Sequence, residues 1–320
     1  MKPLEPVPLG EIRAARERIA GTAVRTPLVR LELEGAPAEL YLKLENLQPT
    51  GSFKLRGAAN AMLRAGREAL ARGVYTASAG NMAQGVAWNA RKLGVPCAVV
   101  VPDNAPRAKL DAIERLGARV VPEPFERWWQ VLVEHRYPGL EGLFVHPVSD
   151  PAVMAGNGTI GLEILEDLPD VDAVVVPYGG GGLSCGIASA LRALRPSARV
   201  FAAEVETAAP LRAALDAGEP RAIEYRASFV DGIGGRGVLA EMWPVASALL
   251  AGSIVVSLGE VAAAVRLLAT RARVVAEGAG AASLAAALTG KAGKGRVVCV
   301  ISGGNIDAAK LAKILEGGVP

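Results

Sequence analysis

The chain has 320 residues, 51% of them hydrophobic and 21% charged, which suits roughly two globular domains and excludes disorder as the main state. Its net charge is +3, from 35 basic and 32 acidic residues, and its 5 Phe, 5 Tyr and 4 Trp are too few for base-stacking platforms, so no nucleic-acid partner is expected. Two histidines and three cysteines leave little material for metal or thiol chemistry, so another group must do the acid–base work.

The first ten residues carry Pro3, Pro6 and Pro8 and no apolar run, so no signal peptide is read there. No uncharged apolar stretch of about 18 residues follows, so no membrane partner is expected. Short apolar runs then alternate with Ala-rich segments. Strands are predicted at Tyr41–Leu44, Val74–Ala77, Cys97–Val101, Arg119–Val121, Ala173–Val176, Val200–Ala203, Ile254–Ser257 and Val297–Ile301. Helices are predicted at Met82–Leu93, Arg107–Leu116, Ala152–Leu168, Leu183–Leu194, Glu260–Ala272, Ala279–Leu288 and Ile306–Leu315, where apolar residues recur at three- and four-residue steps. Cys97, Cys185 and Cys299 lie far apart with no CxxC, as small core residues in a reducing compartment would, and a cytoplasmic location is expected.

Strand–helix–strand alternation implies an α/β fold of open twisted, mostly parallel sheets flanked by helices. The alternation falls into two series, Gly51 to His146 and Pro147 onward, with a crossing point in the irregular stretch Phe144–Pro151. We expect a large domain of residues 1–48 and 147–320 and a small, mobile, substrate-side domain of residues 49–146. The Gly- and charge-rich stretch Gly218–Gly237 reads as a surface excursion.

Ligands bind beyond the carboxyl ends of parallel strands, and four motifs are expected there. Pro49-Thr50-Gly51-Ser52-Phe53-Lys54 puts a lysine at a helix N-terminus, where the dipole disfavours the ammonium and favours a nucleophilic amine; an ordinary solvated lysine is the plain alternative. Ser78-Ala79-Gly80-Asn81 opens a helix, as a cap, a carboxylate site or both. Gly179-Gly180-Gly181-Gly182-Leu183 follows a strand and opens another helix. Four glycines carry a large entropic cost, and their N–H groups suit a phosphate. Ser302-Gly303-Gly304-Asn305 follows the final strand; its serine can face a ring nitrogen or cap a helix.

Gly180-x-Gly182-x-x-x-Gly186, with Glu204 at the end of the next strand, also resembles a dinucleotide fingerprint, so a nicotinamide-dependent oxidoreductase is an alternative. That reading leaves three loops without a role, and His135 and His146, the only histidines, read as surface or packing residues. Pyridoxal phosphate employs all four loops together. From Thr26-Pro27-Leu28 to Asp307 the chain resembles the fold-type II pyridoxal-phosphate enzymes, which share a tryptophan synthase β-like fold, and in particular the serine/threonine dehydratase and serine racemase family.

The resemblance implies that Lys54 bonds covalently to the cofactor, Phe53 packs on its ring and Asn81 meets its ring oxygen. It implies that Gly179, Gly180, Gly181, Gly182 and Leu183 hold the phosphate and that Ser302 faces the pyridine nitrogen. Ser78, Ala79, Gly80 and Asn81 would receive the substrate carboxylate. Loops at Glu277-Gly278-Ala279-Gly280 and Asp231-Gly232 would lie near the cofactor, and the partner copy would make a homodimer.

The implied reaction is loss of water from L-threonine or L-serine, giving a 2-oxo acid and ammonia. Lys54 would take the Cα proton. Racemases of the family use a serine where this chain has Ala79, so racemisation ranks low. A non-catalytic amino-acid sensor is a third reading, against which the intact Lys54 argues. The chain departs from the family pattern at Met82 (usually His), Asn157 (usually Gln) and Val148 (Asn in some members). Met82 suggests a more apolar substrate side, and with it a bulkier substrate such as phenylserine. Of the family's cation ligands, Glu204 and Ala208 match, but Pro210 replaces the aspartate, so no metal is expected. The length also leaves no room for the regulatory domain of biosynthetic threonine dehydratases.

Overall fold

A computed structural model describes residues 2–320. Its strands are β1 (Leu28–Leu31), β2 (Glu39–Lys43), β3 (Val74–Ala77), β4 (Cys97–Pro102), β5 (Arg119–Glu123), β6 (Leu143–Phe144), β7 (Ala173–Pro177), β8 (Arg199–Val205), β9 (Gly252–Val256) and β10 (Arg296–Val300). Six of them form one sheet in the order β1-β2-β10-β7-β8-β9, and four form a second in the order β5-β4-β3-β6. Every pairing is parallel except β1 with β2.

Helices cover both faces of the larger sheet, which explains its near-continuous apolar strands. On one face Val174, Val176, Val200, Ala202, Val298 and Val300 pack under helices Leu9–Ile19, Pro151–Asp167 and Gly182–Leu194. On the other, Leu40, Leu42, Val175, Ala203 and Cys299 meet helices Leu258–Leu267 and Gly278–Leu288. All eight predicted strands are present, and so are the seven predicted helices, with shifted ends. The helix predicted to end at Ala272 finishes in a π-helical turn, Leu268–Ala272, before Arg273 takes a left-handed conformation.

The sequence reading overlooked β1 and β6. β1 is four residues long with two exposed side chains, and β6 is two residues long, so neither carries a strong apolar pattern. The stretch Gly218–Gly237 is irregular and largely exposed, as expected of a surface excursion, and Phe229, Val230 and Ile233 tie it to the larger core. Cys97, Cys185 and Cys299 carry free thiols, and burial pushes the first two up to about 12. Among the described residues no helix is long and apolar enough to cross a membrane.

Between the sheets runs helix Lys54–Leu70, and its third residue anchors it. Arg56 is 1% exposed. Its guanidinium donates to Glu45 through Nε and Nη2, both at 2.9 Å, and to Glu163 Oε1 at 2.6 Å. Lys43 Nζ completes a buried quartet at 2.5 Å from Glu163 Oε2. Burial draws the Glu45 carboxyl up, but the charge and hydrogen bonds of Arg56 outweigh it and hold the group below its ordinary value. The two positive and two negative charges balance, and removing one leaves buried charge without a partner. Arg56→Met is therefore expected to lower stability by about 3–5 kcal/mol, measured by urea unfolding. In the parent protein the contribution of Glu45 is present above its ordinary value of 4.5 and is lost as pH falls through its lower folded value.

Candidate active site

The four motifs meet in one cavity of about 340 Å³ between the sheets. Lys54, the first residue of its helix, lies at the cavity wall. Its Nζ donates to the carbonyl of Pro147 at 2.7 Å and makes no ion pair among the described residues. Burial without a counter-charge pushes the ammonium down to about 8. Phe53 lies beside it, with Nζ 5.2 Å from the ring centroid. Pro147 belongs to the stretch in which the chain passes from the smaller sheet to the helix Pro151–Asp167. The next residue, Val148, packs against the glycine loop.

That loop follows β7 and caps helix Gly182–Leu194. Gly181 has φ +95°, a conformation few side chains tolerate. A Cβ at Gly180 would come within 2.5 Å of Val148, and one at Gly182 within 2.6 Å of the Val148 carbonyl. None of the N–H groups of Gly179, Gly180, Gly181 and Gly182 donates to a protein acceptor, so the loop holds converging free donors at a helix N-terminus. Leu183 is buried in the core behind it. Asn157, at a usual glutamine position, supports the loop by donating to the Gly182 carbonyl at 3.3 Å.

Ser78, Ala79 and Gly80 run from β3 into helix Asn81–Leu93, with the Gly80 N–H donating to Ser78 Oγ at 3.2 Å. Ser302 follows β10; it is 3% exposed, lines the cavity, and its hydroxyl makes no hydrogen bond among the described residues. Asn81 Nδ2 donates to Glu277 Oε1 at 2.7 Å, which brings together two loops 196 residues apart. At the cavity mouth Lys109 of the smaller sheet's helices pairs with Asp231 of the irregular stretch at 2.8 Å.

The motifs did not reveal several of these contributors. Pro147 acts through its carbonyl, which any residue would supply. Lys109 carries no local pattern. The loops at Asp231-Gly232 and Glu277-Gly278-Ala279-Gly280, which the resemblance places near the cofactor, both line the cavity, but their partners Lys109 and Asn81 are not legible locally. Met82 lines the cavity but is only 1% exposed and packs with Met62, Val74 and Val86 in the smaller core, so it does little to make the substrate side apolar.

Glu204 matters here because of its other possible uses. Its Oε1 accepts from the Leu211 N–H at 2.8 Å, and its Oε2 from the Arg212 N–H at 2.8 Å and Ser253 Oγ at 2.5 Å. It caps helix Pro210–Ala217 and is spent, which leaves no carboxylate for a ribose as the nicotinamide reading requires. Both oxygens thus already take hydrogen bonds from the chain. Ala208 is buried, with its N–H bonded to the Val205 carbonyl at 2.8 Å.

The free donors of the glycine loop, the unpartnered Ser302 hydroxyl and a buried amine with no acid beside it are the groups that pyridoxal phosphate requires. Comparison with known proteins agrees. The family described as pyridoxal-phosphate dependent enzyme matches residues 19–303. An L-threonine ammonia-lyase of Geobacter sulfurreducens is 41% identical over 98% of this chain and 79% of its own length. The structure of maize serine racemase superposes with a TM-score of 0.90, at 30% identity, covering 98% of each chain. That of the processed form of threonine deaminase isoform 2 from Solanum lycopersicum does so with a TM-score of 0.86, at 31% identity, covering 99% of this chain and 90% of the other. This chain therefore belongs to the pyridoxal-phosphate dependent enzymes, with the tryptophan synthase β-like arrangement of two open, mostly parallel sheets.

Proposed function

We propose that this enzyme is a threonine ammonia-lyase, which removes water from L-threonine or L-serine and releases a 2-oxo acid and ammonia. The observation that carries the reading is the convergence of four loops from both sheets on one cavity that also holds a buried lysine amine. Bound pyridoxal phosphate would supply the electron-withdrawing ring that acidifies the Cα–H bond and, through its phosphate, the proton with which the β-hydroxyl departs as water.

The protein's part is to bind, orient and move protons. The N–H groups of Gly179, Gly180, Gly181, Gly182 and Leu183 bind the phosphate at the positive end of a helix. Lys54 would hold the cofactor, and its Nζ, when free, would take the Cα proton. An amine pushed down to about 8 has a far larger neutral fraction near physiological pH than an ordinary lysine, and that fraction can accept the proton. Phe53 flanks the ring, and Asn81 meets its oxygen. Ser302 is neutral where an aspartate would hold the ring nitrogen protonated. That would leave the ring a weaker electron sink, which suits elimination. The N–H groups around Ser78, Ala79, Gly80 and Asn81 take the substrate carboxylate. The enamine set free hydrolyses to 2-oxo acid and ammonia.

Ala79 carries no transferable proton, which supports elimination over racemisation. The burial of Met82 gives no support to a bulkier substrate. We further propose that residues 49–146 move as a small substrate-side domain against residues 1–48 and 147–320. The Lys109–Asp231 pair spans the mouth between them and supports closure there. A homodimer fits the exposed side chains of Leu47 and Val275, drawn close by a 3.0 Å bond from Asn46 Nδ2 to the Val275 carbonyl. The free thiols suit the cytoplasm.

With L-threonine, ammonia release is expected to fall at least about a thousandfold in Lys54→Ala while the fold is kept; a coupled ammonia assay and circular dichroism measure the two. Incubation with L-serine is expected to yield pyruvate and ammonia without D-serine, as chiral chromatography would show. Cofactor capture by the cofactor-free protein needs the neutral amine. Its rate, followed by absorbance, is expected to rise with pH through about 8 and then level off.

A further inference from the structure

One wall of the cavity holds a chain of hydrogen bonds whose direction is forced. Thr50 contributes a backbone carbonyl, which can only accept. Asn305 Nδ2 donates to it at 2.9 Å and to Asn81 Oδ1 at 2.8 Å. Asn81 Nδ2 then donates to Glu277 Oε1 at 2.7 Å. A carboxamide can turn end for end with little change in shape. Here a turned Asn81 would set its oxygen against the Glu277 carboxylate and its nitrogen against the donating nitrogen of Asn305. An acceptor-only group at each end of the chain therefore holds both amides one way round.

Two glycines from different loops make room for these atoms. A Cβ at Gly303 would overlap Glu277 Oε1 and come within 3.3 Å of Asn81 Nδ2. A Cβ at Gly51, which has φ +70°, would lie 2.5 Å from Asn305 Oδ1. In this arrangement one of the two Asn81 Nδ2 protons is spent on Glu277, and the other has no protein acceptor.

We propose that Glu277 and Asn305 are positioning residues, which lock the Asn81 amide in the orientation that offers its free N–H proton to the ring oxygen of the cofactor. The proposal rests on the reading of Asn81 as a cofactor contact. It explains why the Thr50-Gly51, Asn81, Glu277 and Gly303-Asn305 segments, drawn from both sheets, must be assembled together for the cofactor to be held well.

The lock has an acid limit. The groups that act on the Glu277 carboxyl are Asn81, Asp231 and Lys109. Burial pushes it up to about 7, against the hydrogen bond from Asn81; Asp231 raises it further and Lys109 lowers it. Once protonated, the carboxyl can donate to Asn81 Oδ1, and the turned amide becomes acceptable. The lock thus holds above neutrality and loosens as pH falls through about 7.

The experiment measures the dissociation constant of pyridoxal phosphate and the pH dependence of the bound cofactor's near-visible absorption in Asn81→Ala, Asn305→Asp, Glu277→Gln and the double variants with Asn81→Ala. Asn305→Asp replaces a donor with an acceptor and is expected to weaken cofactor binding about tenfold. The same substitution made on Asn81→Ala is expected to add almost nothing, because its target is gone. Glu277→Gln is expected to abolish the spectral titration near pH 7, and it decides the matter if Asn305→Asp does not fold. An equal loss in the presence and absence of Asn81, or an unchanged titration in Glu277→Gln, would overturn the lock. An Asn81→Ala protein that binds the cofactor like the parent would instead overturn the reading of Asn81 itself.

Discussion

A lysine amine buried without a carboxylate partner is the constraint around which this molecule is arranged. Lys54 has one hydrogen-bond acceptor, the Pro147 carbonyl, and burial disfavours its charge. Nothing at Lys54 itself pulls its helix into place. That task falls two residues later, to Arg56, whose guanidinium is gripped by Glu45 and Glu163, with Lys43 as the counterweight. Charge is thus concentrated where it anchors and kept away from the amine that faces the cavity. The quartet joins the end of β2, the lysine helix and the helix Pro151–Asp167, so the amine is held by the large sheet while it faces the cavity between both sheets.

The glycine loop follows the same logic from the opposite side of the cavity. Its donors are free because the chain gives them no acceptor, and at Gly180 and Gly182 it has no side chains because Val148 leaves no space for any. Val148 immediately follows Pro147, the partner of Lys54. A short stretch of chain therefore sets both the position of the amine and the shape of the glycine loop. A valine suits that place, since its job there is to fill space.

Much of this was legible in the residues. Strands covered on both faces must be apolar throughout, so the eight main strands stood out. The loops at their carboxyl ends displayed Lys54, Asn81, the four glycines and Ser302 in order. What stayed hidden was relational. Arg56 looks like any helical arginine until Glu45 and Glu163 close on it, and Glu277 finds Asn81 across 196 residues. Glu204 stood where a nucleotide-binding acid would, yet a helix start seven residues later claims its oxygens. The stretch Gly218–Gly237 shows its exposure in its Gly and charge, but not that Phe229, Val230 and Ile233 tie part of it to the core.

The strand order has a consequence for biosynthesis. β10 is the last strand in sequence, yet it lies between β2 and β7 near the middle of its sheet. Until it emerges from the ribosome, those two neighbours present open edges that could pair with other chains. Ser302 and Asn305 come directly after it. Closure of the sheet and completion of the cofactor pocket are thus the same late event, so a nascent chain gains protection from aggregation and the ability to retain its cofactor at nearly the same moment.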